Sequence, residues 1–520
     1  MNQKIQTIFH YHETTKHSQQ RYARSLGYMD WATQPNPFRE YNGAKKLELP
    51  IALDNATPPY HLLDSDLPSA PLCKESLSQL MQFSMGIAAW KESGPSSWAV
   101  RCNASSGNLH PTEAYLITPP LFDEQENQSS VMHYTPYNHG LEILASFDTD
   151  FFNTIPQGSF LLVLSSISWR EVWKYGERAF RYVHLDTGHA WQSVNVSAKM
   201  LGWNSVRLDS LHNDDINTLI GVAQSKRFFE TELGDIVLLI SPQTNPGAIK
   251  IDTLLGDIPL QFDGIANKLS PAMQSWDIIP AIEQATHSKQ LAQTDSKIQK
   301  TSKEPTLESK DVVLRRRSVH VMDPKTSDIN QEQFHTILRS VAHSLDAKQT
   351  AVHLCLMVHR VKEYEQGLYI LVRNTQDLAE LQNLLDHDFL WETTNFENLY
   401  FLQKKDYKAL SKTISCSQDI ASDGAFSLGM LCRFSKEIQE FGPHRYKELY
   451  WECGMIGQQL YLEATSLGLS GTGIGCFLDD MMHNLLRLQS NQYQILYHFT
   501  VGRGYVDSRI LTKSAYSREI

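Results

Sequence analysis

Residues 181–202 read RYVHLDTGHAWQSVNVSAKMLG, and residues 447–468 read KELYWECGMIGQQLYLEATSLG. Laid over each other at an offset of 266 residues, they pair Gly188 with Gly454, Ala198 with Ala464 and Gly202 with Gly468 without a gap. The same offset carried back along the chain pairs Phe160 with Phe426 and Gly176 with Gly442. Glycine sits where the backbone needs a positive φ or a close approach, so a fixed spacing of glycines records geometry rather than composition. The chain is therefore a duplicated structural unit. Each quoted stretch carries apolar residues at helical spacing and ends in a glycine suited to a C′ cap, which predicts a helix of about 20 residues in each copy.

A polar stretch, Thr286 to Lys310, is rich in Lys, Ser, Gln and Thr and reads as the linker. It divides the 520 residues into a first domain at 1–285, a linker at 286–310 and a second domain at 311–520. Short apolar runs suited to buried strands occur at 114–118, 160–164 and 236–240 in the first copy, and at 352–358, 367–372 and 494–501 in the second. The Pro- and Asn-rich segment from Gln34 to Pro71 reads as irregular extended chain that the second copy lacks. Strands and helices without regular βαβ alternation point to an α+β layered fold.

Composition narrows the function. A hydrophobic fraction of 41% with 20% charged residues belongs to an ordinary globular protein. The net charge of −11, with scattered acidic residues, argues against a nucleic-acid surface. With no apolar run of about 18 residues and a polar start, the expectation is a cytoplasmic protein without membrane contact. Seven cysteines without CxxC spacing read as reduced thiols rather than a disulfide framework or a structural zinc site. Neither His184 with His189 nor His10 with His12 has a carboxylate or cysteine at ligand spacing, so no metal is expected.

Four motifs carry chemistry. Residues 101–115 (RCNASSGNLHPTEAY) place Ser105, Ser106 and Asn108 in a turn whose hydroxyls, amide and N–H groups suit the edge of a polar ring. Residues 314–319 (LRRRSV) set Arg316 and Arg317 beside Ser318, a pattern suited to a phosphate because the guanidinium fork matches its oxygens. Gly473, Ile474 and Gly475 close the run Gly471-Thr-Gly-Ile-Gly475, which lets backbone approach a planar ligand. Lys174 and Tyr175 in the run 169–182 (WREVWKYGERAFRY) are candidate proton donors or acceptors. Each has a plainer reading on its own: a polar turn, a solvated arginine run, a tight turn, a helix surface.

Together these motifs resemble the FMN-dependent nitroreductase superfamily, and the pattern R-x-x-x-S-x-G-N-L-H-P-x-E-x-Y is similar to the flavin-ring loop of its SagB-type dehydrogenases. The resemblance implies two tandem nitroreductase-like three-layer α/β/α domains with a mainly antiparallel central sheet. In that family two identical subunits intertwine, and each FMN lies between them, held at its phosphate by one and covered by the serine-asparagine loop of the other. Here the second copy keeps Arg316, Arg317, Ser318, Gly473, Ile474 and Gly475, with Arg509 as a further basic phosphate contact, whereas the first keeps Ser105, Ser106 and Asn108. At the 266 offset the glycine run falls on Ser205-Val-Arg-Leu-Asp209, and the second copy has Asp346-Ala-Lys-Gln-Thr350 where the first has its serine turn.

The expectation is an intrachain pseudo-dimer, monomeric, with one complete FMN site and a degenerate second one. Lys16-His-Ser18 echoes the phosphate element at that second site. The flavin would pass a hydride at N5, with Lys174 and Tyr175 as catalytic residues, a small molecule or peptide as substrate and NAD(P)H as a candidate reductant. The alternative is a degenerate, non-catalytic flavin- or peptide-binding scaffold. A hydrolase built on Ser106 or a cysteine is a weaker alternative, because no base and orienting acid accompany either at recognisable spacing.

Overall fold

The computed structural model describes residues 2–209, 211–287, 307–346 and 350–516. In the first half, β1 (Lys45–Glu48), β2 (Thr112–Thr118), β3 (Ser129–Thr135), β4 (Gly140–Phe147), β5 (Phe160–Ser166), β6 (Asn204–Arg207) and β7 (Leu233–Ser241) form one sheet in the order β1-β4-β3-β2-β5-β7-β6. In the second, β8 (Val352–Val358), β9 (Gly367–Leu371), β10 (Glu392–Thr393), β11 (Leu399–Lys404), β12 (Phe426–Arg433), β13 (Ser470–Ile474) and β14 (Tyr493–Gly502) form a sheet in the order β10-β11-β9-β8-β12-β14-β13, which repeats the first in six strands and differs at the edge strand β10, inserted between β9 and β11 in the chain where β1 precedes β2. Every ladder in both sheets is antiparallel. The fold is thus two α+β domains of one chain, each built on a seven-stranded antiparallel sheet.

The continuous apolar runs are explained by burial on both faces. In β5, Leu162 and Leu164 pack with Trp191 and Val194, whereas Leu161 and Val163 face Leu219 and Leu254 on the other side. Three helices carry the side chains that meet between the domains: α1 (Ser168–Tyr175), α2 (Ala179–Met200) and α3 (Arg445–Ser466). The last two are the predicted repeat pair, and both are buried along nearly their whole length because they pack on each other as well as on their own sheets.

At their crossing the two helices touch through glycine. A Cβ added at Gly188 would lie 2.2 Å from the Trp451 carbonyl oxygen, and one at Gly454 would lie 2.1 Å from that of Leu185 and 2.9 Å from the Gly188 Cα. No side chain fits there, so the backbones come together at the two equivalent positions of the repeat. Ion pairs across the same interface join Arg178 and Arg181 to Asp479, Arg207 to Glu448 and Lys447 to Asp235, at 2.8–3.0 Å.

The halves also exchange their ends. The helix Gln3–Thr14 lies against the second domain, where His12 Nε2 is 3.0 Å from Gln494 Oε1 and its ring packs 4.5 Å from Phe434. The strand Leu511–Ser514 crosses the other way and pairs with Ile87–Ser93 in a three-stranded sheet. Leu307–Lys310, the described end of the linker, is held to the first domain by Tyr60 N–H donating to Leu307 O at 2.9 Å and by Ser309 N–H donating to Pro58 O at 3.0 Å. Residues 288–306 of the linker lie outside the described residues.

Two expectations need correction. Gly471–Gly475 is not a free loop, because Ser470–Ile474 is the edge strand β13, paired to β14 from Gly471↔Val501 to Ile474↔His498. Within the segment 34–71, β1 extends the first sheet through Leu47↔Leu141, since Leu47 alternates inward between exposed residues. The glycine crossing gives a direct test. Gly454→Ala should destabilise the protein by about 2–3 kcal/mol in urea unfolding, as overpacking against backbone does, with the secondary structure intact by circular dichroism.

Candidate functional site

The helix Ser309–Arg315 ends where Arg316 turns extended, which carries the arginine run across to the first domain. Arg316 is buried there, its Nε donating to Cys102 O at 3.0 Å and its Nη2 to Arg101 O at 2.9 Å, with the guanidinium 5.2 Å from the centre of the Tyr461 ring. Among the described residues, the Arg317 side chain bonds only to the carbonyls of Leu314 and Arg316. Burial, and then the neighbouring Arg316, pull its pKa down to about 10. No carboxylate among the described residues forms an ion pair with either arginine. Two consecutive arginines, partly desolvated and with no carboxylate ion pair among the described residues, suit a phosphate.

Tyr461 ties this element to the glycine strand. Its hydroxyl lies 2.7 Å from Ser318 Oγ and accepts from Gly473 N–H at 2.8 Å, while Val319 N–H donates to Thr472 Oγ1 at 3.1 Å. The close approach that the glycines permit is used by tyrosines of the chain itself. A Cβ at Gly473 would lie 1.8 Å from the Tyr497 hydroxyl, and one at Gly475 would lie 2.2 Å from the Tyr182 ring, whose hydroxyl donates to Gly475 O at 3.1 Å. Ile474 points away into a small cluster with Met322, Ile420 and Ala421.

The serine turn is organised by a residue of α2. Asp186 accepts from Ser105 Oγ at 2.7 Å and from Ser106 Oγ and N–H at 2.9 Å. Gly107, Asn108 and His110 all have left-handed φ, between 52° and 60°, so the turn folds tightly. That conformation faces Asn108 inward, its Nδ2 donating to Ala99 O at 2.8 Å and its Oδ1 3.0 Å from His110 Nε2, so both ends of the amide bond within its own domain. Gly107 faces α1 instead: a Cβ there would lie 2.8 Å from the Tyr175 hydroxyl and 3.0 Å from Lys174 Nζ. Burial, and then Glu171, hold the Tyr175 pKa well above that of a free phenol, so its hydroxyl stays protonated and serves as a hydrogen-bond donor. Burial pushes Asp186 up to about 7 against the pull of Ser105 and Ser106, and pushes the adjoining Glu171 well above the usual carboxylate range.

Gln458 of α3 closes the arrangement by accepting from Ala104 N–H at 3.1 Å and donating to Cys102 O at 3.3 Å, and His189 stands between Gln458 (3.2 Å) and the Tyr497 hydroxyl (3.1 Å). The structure therefore brings Arg316, Arg317, Ser318, Gly473, Gly475, Ser105, Ser106, Lys174 and Tyr175 into one contiguous region between the domains. Arg509 stands apart, 85% exposed and paired with Asp507 at 2.7 Å.

The profile of the nitroreductase family matches residues 69–230 and again 313–503, once for each half. The chain belongs to the nitroreductase family. A curated protein of Methanocaldococcus jannaschii, named as a candidate nitroreductase, is 26% identical over 167 residues, which are 30% of this chain and 78% of its own. A crystal structure of a candidate nitroreductase from Anabaena variabilis superposes with a TM-score of 0.68 at 18% identity, covering 96% of this chain and 99% of that one, so the two share the whole two-domain fold. A candidate nitroreductase structure from Ralstonia eutropha covers 42% of this chain and 97% of its own, at 13% identity and a TM-score of 0.29.

Within this nitroreductase-family chain, the helix repeat locates the second, pseudo-equivalent position. Arg207 stands there where Gly473 stands in the first, Asn195 where Tyr461 stands, and Glu448 where Tyr182 stands. Arg207 pairs with Glu448 at 2.8 Å and lies 5.6 Å from the Trp191 ring, so a charged pair replaces glycine and tyrosine. Glu452, the counterpart of Asp186, still accepts from Thr350 Oγ1 and from Ala351 N–H. Lys16, the echo of the phosphate element, pairs with Glu13 at 2.8 Å and Asp480 at 3.5 Å. A cavity of about 630 Å³ opens here, lined by Tyr60, Asn195, Arg207, Arg339 and Glu463 among others.

Burial, reinforced by Asp64, pushes Glu463 up to about 8. A carboxyl whose folded pKa exceeds its unfolded value binds an extra proton in the native state. Its contribution to stability is complete below pH of about 4.3 and is lost as pH rises towards 8. Glu463→Gln should therefore flatten the decline of unfolding free energy between pH 5 and 8, by up to ~1.4 kcal/mol per pH unit, in urea titrations at each pH.

Proposed function

We propose that this chain is an FMN-dependent oxidoreductase that holds one flavin between its two domains. The observation that carries this reading is the consecutive pair Arg316 and Arg317, buried and half-buried, with no carboxylate counter-ion among the described residues and linked through Ser318 and Tyr461 to the glycine strand. Arg316, Arg317 and the exposed Ser318 would hold the phosphate. When bound, the flavin supplies hydride transfer. The chain's own contribution is a proton at the Tyr175 hydroxyl, with Lys174 Nζ 5.3 Å from that ring's centre, both against Gly107 of the serine turn. The Lys-Tyr pair is the feature that leans towards the azoline-oxidising, SagB-like branch, with a small molecule or peptide as substrate. A monomer suffices for this site, because one chain supplies both halves of it.

The residues fit the group at its phosphate end. At the ring end they fit only with the Tyr497 and Tyr182 rings moved off Gly473 and Gly475. That packing favours a second reading, a non-catalytic scaffold in which tyrosine has taken the place of the ring.

Purified protein should be yellow, or become so on reconstitution, with one FMN per chain by absorbance. Protein that stays colourless with excess FMN, and shows no quenching of flavin fluorescence, would leave the scaffold reading in place. Because the Arg317 side chain bonds, among the described residues, only to neighbouring backbone, Arg317→Ala should weaken FMN binding about tenfold or more without lowering Tm, whereas Arg509→Ala should change neither.

A further inference from the structure

Beside the glycine strand lies a group of side chains that the flavin reading does not use. Cys476 follows Gly475 directly, and Cys416 reaches it from the turn after the helix Lys408–Ile414, with the two Sγ atoms 2.7 Å apart. Cys416 and Ser417 are both left-handed, at φ 53° and 62°, a conformation that costs a non-glycine residue roughly 1 kcal/mol or more and is kept where the surroundings demand it. His17 Nδ1 lies 3.7 Å from Cys476 Sγ, and the Tyr22 ring packs 4.6 Å from that of His17. Both cysteines are half-buried, and Tyr22 beside them is 51% exposed, so small solutes reach the pair. By contrast, Cys432 and Cys453, 3.5 Å apart, are fully enclosed.

The groups facing the pair favour one thiolate. The close contact with Cys416, then His17 and Arg178, hold Cys476 below an ordinary thiol against its burial, while the same contact drives Cys416 upward. Arg178 is fixed close by, donating to Gly475 O at 3.3 Å and to Asp479 Oδ2 at 3.0 Å. A nucleophilic thiolate next to a thiol of high pKa is the arrangement of an attacking and a resolving cysteine. The set His17, Cys416 and Cys476 also has metal-ligand chemistry. Two thiolates on one zinc, however, stand about 3.8 Å apart at the usual Zn–S length, and these sulfurs are much closer than that.

We infer that Cys416 and Cys476 form a redox-active dithiol whose co-substrate is a low-molecular-weight disulfide. In the first step the Cys476 thiolate attacks one sulfur of the small disulfide, whose S–S bond breaks, and the released thiolate takes a proton from solvent. In the second, Cys416 loses its proton to solvent and its sulfur attacks that of Cys476 in the mixed disulfide, expelling the second small thiolate, which is protonated in turn. Two electrons pass from the protein pair to the small disulfide, giving one intrachain disulfide and two small thiols.

The test uses the full-length protein, reduced, desalted and equilibrated in buffers of graded ratios of reduced to oxidised glutathione. Peptide mapping should recover a Cys416–Cys476 cross-link, and Cys416→Ser should instead trap glutathione on Cys476. In the reduced wild type at pH 6.5, iodoacetamide should label Cys476 about tenfold faster than Cys73, the half-buried cysteine outside the pair. This last measurement needs no variant, so it holds even if a substitution disturbs folding. Failure to cross-link in the most oxidising buffer, or labelling of Cys476 no faster than Cys73, would overturn the inference. One zinc per chain in purified protein, lost in Cys476→Ser, would also overturn it and assign the cluster to a metal.

Discussion

Everything between the two domains depends on how closely α2 and α3 approach at Gly188 and Gly454. A side chain at either position would meet a backbone carbonyl of the other helix, and main chain has no alternative rotamer to adopt. Because backbone meets backbone, the relative position of the helices is fixed to a few tenths of an ångström. The polar groups along them inherit that definition. Asp186 and His189 of α2, with Gln458 and Tyr461 of α3, face the same region from opposite sides, and each finds a hydrogen-bond partner. Arginines and serines carried on separate domains thus meet in one place without a loop long enough to bring them there.

Much of this was legible in the amino-acid order. The gapless repeat marked the helix pair, and unbroken apolar runs marked β2, β5, β7, β8, β9 and β14. The strands β3 and β4 were not visible, and His133 shows why. Its ring lies 3.1 Å from both Glu113 and Glu142, all three fully buried, and those carboxylates raise it to about 9 against the burial. A charged triad of this kind reads as surface in a sequence, since only the fold supplies the partners that make burial tolerable. The edge strand β13 was hidden for the opposite reason. Glycine is depleted in strands, yet its ladder to β14 and the Tyr461 hydroxyl hold it extended.

In the candidate site, the elements legible in sequence were those close together along the chain: the arginine run, the serine turn and the Lys-Tyr pair. What organises them was not. Asp186, Glu171, Gln458 and Tyr461 sit inside buried helices, where a polar residue has no local signature and acquires meaning from what the other helix places opposite. Asn108 shows the limit of motif reading within a single turn. It belongs to the recognised pattern, yet the left-handed backbone at Gly107 and Asn108 points its amide into its own domain.

The exchange of chain ends also bears on how the molecule is made. The sheet formed by Ile87–Ser93 and Ser96–Arg101 is completed by Leu511–Ser514, and Tyr516 beyond it accepts from Ile87 N–H at 2.9 Å and donates to Pro136 O at 2.8 Å. During synthesis the N-terminal half emerges first, and domains ordinarily fold in that order. Here a strand of that half's sheet is translated only after the second domain, while the Gln3–Thr14 helix waits for a domain not yet translated. Neither half can reach its native surface alone, so maturation is a single late event for the whole polypeptide, and a chain truncated by a few dozen residues would leave both halves unfinished.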